Sequence, residues 1–215
     1  MKKTIFTFVL TMLMCVTEGN SQVLNFSNFK EKVVTPSREA FNKASTDKER
    51  DSLMFVPHKA IKNLVGSPMP EFTAQTLDGK PISKQSLAGK IVVMNFWYIG
   101  CKPCVAELPA LNRLVDEYEG KEVVFLAFGN SSRQRTVEDF LPKHDFKYQL
   151  ITDSESYSNM FLATAFGFPT SMVFDQDGIL RHISAGGFVD DRAKTAVFNE
   201  YSPVINSLLI QKKVK

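Results

Sequence analysis

The chain has 215 residues, with 26 basic and 23 acidic side chains, a net charge of +3 and 44% hydrophobic residues. That length suits one ordinary domain plus an extension. The nearly balanced charge gives no reason to expect nucleic acid or a strongly charged partner.

The first stretch, MKKTIFTFVLTMLMCVTEGNSQ, has the layout of a secretory leader. Lys2 and Lys3 form a short positive region, Ile5 to Val16 is almost continuously apolar, and Gly19 and Ser21 supply small residues before a cut near Gln22. The apolar run is shorter than the roughly 20 residues a membrane-spanning helix needs. The alternatives are a retained anchor and lipidation at Cys15, the latter disfavoured by the bulk of Met14. Residues 1–21 are therefore expected to be a signal peptide, and the protein exported to the periplasm or cell envelope. Contact with the membrane is expected only if that segment is retained.

Residues 22–63 are rich in Lys, Glu, Asn and Ser and read as a partly helical extension, either packed on the main domain or a linker. Thr46 and Glu49 have the spacing of a capping box that opens a helix ending at Pro57, and a second short helix is expected over His58–Leu64. The main domain is expected over 64–215. It opens with a hairpin: a strand near Phe72–Thr76, a turn over Leu77–Lys80, and a strand at Pro81–Ser83.

IVVMNFW (91–97) and VVFLAFG (123–129) are continuous apolar runs, as expected of strands buried on both faces. Between them, apolar residues at 105, 108, 111, 114, 115 and 118 have helical spacing over Cys104–Tyr118, and Pro109 inside that helix is expected to kink it. Further helices are expected at Val137–His144, Tyr157–Phe166 and Pro203–Gln211. Further strands are expected at Tyr148–Ile151, Ser171–Phe174 and Ile179–Ser184. This succession implies an α/β fold with a central mixed sheet and helices on both faces.

The chemistry is concentrated in WYIGCKPC, residues 97–104. Once a leader is removed, Cys101 and Cys104 are the only cysteines left. A bridge between them closes too short a loop to remove much unfolded-state entropy, so it makes a poor staple. A structural zinc site wants four ligands, and His58, His144 and His182 lie too far apart in sequence to complete one. Hence no metal is expected.

A strand ending at Trp97 and a helix starting near Cys101 put that thiol at a helix N-terminus, where amides and macrodipole favour the thiolate. Cys104, one turn on, is placed to resolve a mixed disulfide. Pro103 suits a first helical turn, where its missing N–H would have had no partner. Lys102 adds a cation that pushes toward the thiolate. A thiol peroxidase is a rival reading, but Tyr98, Ile99 and Gly100 lack the Pro and Thr such enzymes place before their cysteine.

NFWYIGCKPCVAELPAL, preceded by GSPMPEFTAQTLDGK and followed by FGFPTSMVFDQDG, resembles the TlpA/ResA-like branch of the thioredoxin-like family. The resemblance covers roughly residues 64–212. It implies a thioredoxin-like fold and an exported thiol–disulfide oxidoreductase with a C-x-P-C redox pair. The implied attacking cysteine is Cys101 and the resolving one Cys104, with no cofactor beyond their redox-active disulfide. Pro169 falls where the family has a cis-proline facing the disulfide, so Phe168, Pro169 and Thr170, with Trp97 half in the core and half at the rim, are the implied substrate contacts.

The resemblance also places Glu107 near the site as a proton-exchanging carboxylate. The alternative is an ordinary solvated helix glutamate. Gly100 departs from the aromatic residue that many relatives carry before the first cysteine. The implied partners are protein thiols or disulfides, cytochrome c apoproteins among them, and a membrane electron donor. An oxidase or isomerase, or a non-catalytic binding protein on the same scaffold, would share these residues.

Overall fold

The computed structural model describes residues 25–212. The expected leader, its cut near Gln22 and Cys15 lie outside them. Thr73–Gln75 (β1) and Pro81–Ser83 (β2) form the antiparallel hairpin, turning through Gly79, whose φ of +85° favours a residue without a side chain. Ile91–Trp97 (β3) and Val123–Gly129 (β4) occupy the ranges their apolar runs predicted. Gln149–Ile151 (β5), Thr170–Phe174 (β6) and Leu180–Ala185 (β7) complete a five-stranded sheet in the order β5-β4-β3-β6-β7. β3, β4 and β5 run parallel, whereas β6 and β7 are antiparallel to their neighbours. The sheet is thus mixed.

Alternation along β3 divides the core into two layers. Val92, Met94 and Phe96 face one layer, with Phe128, Phe161 and Phe174. Ile91, Val93 and Trp97 face the other, with Cys101, Cys104, Leu111 and Tyr201. Asn95 has the parity of the second layer.

The N-terminal segment is more helical than its composition announced. Phe26–Phe29, a π-helical turn at Lys30–Val34 and Thr35–Lys43 run on from one another, a helical stretch the sequence reading did not contain. Asn25 caps its start by accepting a hydrogen bond from the Asn28 N–H at 2.8 Å. Phe26 and Phe29 are buried in the first core layer, Phe26 edge-on to Phe161 and Phe29 edge-on to Phe166. Burying each ring stabilises the attachment by roughly 1.5–3 kcal/mol. The capping box at Thr46 and Glu49 is formed and opens the helix Asp47–Met54. Val56–Ala60 and a 3₁₀ turn at Ile61–Leu64 follow.

This segment also covers a sheet edge. Gly66 N–H donates to Leu180 O, Leu180 N–H to Ser67 O, and Lys62 Nζ to Ile183 O at 2.6 Å. β7 therefore does not offer these backbone groups to a second chain.

One helix breaks near its expected kink, and three depart from expectation. The helix expected to begin near Cys101 and to kink at Pro109 starts at Lys102 and breaks at Glu107, two residues before the proline, giving Lys102–Ala106 and Leu108–Glu117. Pro109, in the first turn of the second piece, cannot donate to a preceding carbonyl. The one expected over Tyr157–Phe166 divides into Glu155–Met160 and Ala163–Phe166 around Leu162, which has a φ of +62°. In place of Val137–His144, Arg133–Arg135 runs into a π turn at Thr136–Phe140, anchored by buried Thr136 and Phe140. The last helix spans Ala196–Lys212, with Pro203 inside it instead of at its start. Burial of Phe198, Tyr201, Ile205 and Leu208 along this helix outweighs the proline's local preference.

Candidate active site

The two cysteines lie where β3 gives way to a helix, and they form a disulfide with Cα atoms 5.3 Å apart. Cys101 is the N-cap of Lys102–Ala106, and its Sγ accepts the Cys104 N–H at 3.2 Å. Its carbonyl accepts from Val105 N–H, so the backbone is already helical one turn on. Sulfur 101 is thus held against the positive end of a helix, the placement that stabilises a thiolate once the bond opens. Both cysteines are buried, 3% and 2% exposed, whereas Lys102 points to solvent and Pro103 is half-buried.

The Phe168–Pro169 peptide bond is cis. Pro169 and Pro103 meet across Gly187: a Cβ built there would lie 3.2 Å from each ring. Gly186 N–H donates to Pro169 O at 2.8 Å. The Gly186–Gly187 pair following β7 therefore belongs to the site, and only glycine allows the backbone so close. The sequence reading missed this pair; two adjacent glycines immediately after a strand were its signal.

Phe168 is half-buried and stands edge-on to the exposed ring of Tyr98, 5.5 Å between centroids. Thr170 is buried, its hydroxyl donating to Gly167 O at 2.6 Å, so it shapes the loop from inside. Trp97 lies wholly in the core, with no part at the rim. It is 2% exposed, set against Phe140 and edge-on to Phe146, and so is a core residue of the disulfide's layer.

Glu107 is not a solvated helix residue. It sits at the break between the two helical pieces, 2% exposed, and Asn95 Nδ2 donates to its Oε1 at 3.0 Å. The same amide donates to Ser171 Oγ at 2.9 Å, across the β3–β6 pairing. Burial pushes the Glu107 carboxyl up to about 8; the Asn95 hydrogen bond opposes the rise and the Glu200 carboxylate adds to it. At neutral pH this group is mostly protonated. Asn95 was hidden in an otherwise apolar strand, where a single amide was the only sign of a buried polar contact.

Among the described residues, no cluster of His, Cys, Asp and Glu could hold a metal ion, and no helix is long and apolar enough to cross a membrane.

Residues 65–183 match the model of the AhpC/TSA family. The chain belongs to that family. Its relatives include the thioredoxin-like protein YneN of Bacillus subtilis, 31% identical over 123 residues, 56% of this chain and 71% of that one. The thiol-disulfide oxidoreductase ResA of Bacillus cereus is 33% identical over 118 residues, 54% and 67% of the two chains. With these relatives, the chain is an oxidoreductase of thioredoxin-like fold. A crystal structure of a thioredoxin-family thiol:disulfide interchange protein from Chlorobium tepidum superposes with a TM-score of 0.54 at 23% identity. It covers 66% of this chain and 95% of that one, a likeness of fold.

Proposed function

We propose that the protein reduces disulfides in exported proteins of the cell envelope, with cytochrome c apoproteins as one substrate class. The observation that carries this reading is the Cys101–Cys104 bond at a helix N-terminus, on a loop that meets the cis-proline loop at Gly187. In the reduced protein, the Cys101 thiolate attacks a substrate disulfide. A mixed disulfide forms and one substrate thiolate leaves. Cys104 gives its proton to the Glu107 carboxylate and attacks Cys101 Sγ, which expels the second substrate thiolate and closes the Cys101–Cys104 bond. Two electrons pass to the substrate, whose two thiolates take up two protons.

Recharging reverses these steps. A dithiol donor, for which we assign a membrane protein, attacks the bond, and protonated Glu107 supplies the proton to departing Cys104. A carboxyl titrating near 8 serves as acid and base in turn at neutral pH. Phe168, Pro169 and Thr170 form the loop along which an extended substrate would lie, and Lys102 and Pro103 favour the thiolate of Cys101. The leader-like pattern of residues 1–21 supports export.

The test is the Cys101–Cys104 reduction potential, measured by equilibration in defined thiol–disulfide buffers. A reductase is expected near or below about −230 mV, toward the thioredoxin value. A potential of about −120 to −180 mV, the range of disulfide oxidants and isomerases, would overturn the reading.

A further inference from the structure

Buried Glu107 has a cavity on one side of it. The cavity has a volume of about 50 Å³ and is lined by Glu107, Pro169, Ser171, Ser184, Glu200 and Tyr201. One water needs about 10–15 Å³, and the polar groups of this lining supply its hydrogen-bond partners. The two ends of the cavity differ. At the inner end, Glu107 and Ser171 are joined through Asn95 and buried. At the outer end the Glu200 side chain is 41% exposed, and its Oε1 lies 2.7 Å from His182 Nε2. Between them, the Tyr201 hydroxyl lies 2.5 Å from Ser184 Oγ. On the disulfide side, by contrast, Cys101 and Cys104 are buried among apolar residues.

We propose that this cavity is the proton channel of the redox site, with Glu200 as its outer group. The proposal rests on the oxidoreductase reading, in which Glu107 must lose and regain a proton. A proton leaves Glu107 for a cavity water, which passes one to the Glu200 carboxylate, and solvent takes it from there. The reverse sequence reloads Glu107. No electron moves in either direction.

The charges around the channel set where the proton rests. Asn95 from β3, Tyr148 just before β5, and Tyr201 and Glu200 from the last helix act on Glu107, and Ser171 from β6 acts on it through Asn95. Of these only Glu200 is ionised at neutral pH, since burial pushes both tyrosines up. Glu200 itself is held below the usual carboxylate range by the His182 hydrogen bond, helped by the Lys62 cation and the Ser184 hydroxyl. The proton thus rests on the inner group, and the anionic outer group holds it only in passing between the cavity and solvent.

The test follows the Glu107 proton directly. Oxidised protein at pH 6 is mixed rapidly into D₂O, and the infrared carbonyl band of the protonated carboxyl is tracked as it exchanges. The band is assigned by its loss in Glu107→Gln. Glu200→Gln, at a half-exposed position, is expected to slow exchange several-fold. Ala196→Leu, which puts bulk into the cavity lining, is expected to slow it as well. Exchange at the native rate in both variants, or no such band in the native protein, would overturn the channel. The cysteines of the redox site stay bonded throughout this measurement. Failure of the oxidoreductase reading shows separately, as inability of the native protein to cycle its disulfide with dithiothreitol.

Discussion

At Glu107, one carboxyl couples folding to pH. Its ordinary value is 4.5 and burial lifts it to about 8 in the folded protein. Between those values the folded state holds a proton that the unfolded state has released. The contribution of this group is therefore complete below pH 4.5 and is lost as pH rises to about 8, with little further change beyond. The loss is on the order of a few kcal/mol. Thermal unfolding of the oxidised protein should show Tm falling across that window. Glu107→Gln keeps an acceptor for Asn95 and should flatten the slope. A Tm profile that keeps its slope in the variant would mean the carboxyl is solvated. The resemblance placed Glu107 near the cysteines, but its partners were not legible locally. The Asn95–Glu107 contact spans 12 residues and Asn95–Ser171 spans 76, and helical spacing allowed Glu107 to face either way.

Among elements, legibility followed burial. β3 and β4 were read with their observed ends because a strand covered on both faces must be apolar throughout. The capping box was legible because its two partners are three residues apart. The helical run that starts at Phe26 was not, because only Phe26 and Phe29 at its start are fully buried aromatics, and most of the remainder faces water. Those two rings nevertheless carry the attachment. Phe29→Ala is expected to destabilise the protein by about 3–5 kcal/mol. Phe29 lies in the core layer opposite the cysteines, so the rate at which dithiothreitol reduces Cys101–Cys104 at 25 °C should stay native. Denaturant unfolding and a thiol-exchange assay on the same sample check both halves. Equal stability, or a changed rate, would contradict this division.

For the whole molecule, the sheet separates two environments. One layer is largely a phenylalanine cluster, in which Phe96, Phe128 and Phe161 meet one another and Phe72 meets the last two, fastened by the N-terminal segment and without redox chemistry. The other holds the disulfide, and the Glu107–Asn95 pair opens from it toward the last helix. The only tryptophan of the chain, Trp97, belongs to the second layer. A disulfide quenches a nearby excited indole by accepting an electron, and a dithiol does so less well. The protein thus carries its own optical gauge of oxidation state, dry and unlabelled. Emission excited at the tryptophan band should brighten when Cys101–Cys104 is reduced and dim when it reforms, while Cys101→Ser should stay bright under both conditions. The burial that removed Trp97 from the substrate rim is what makes it a witness to each turnover.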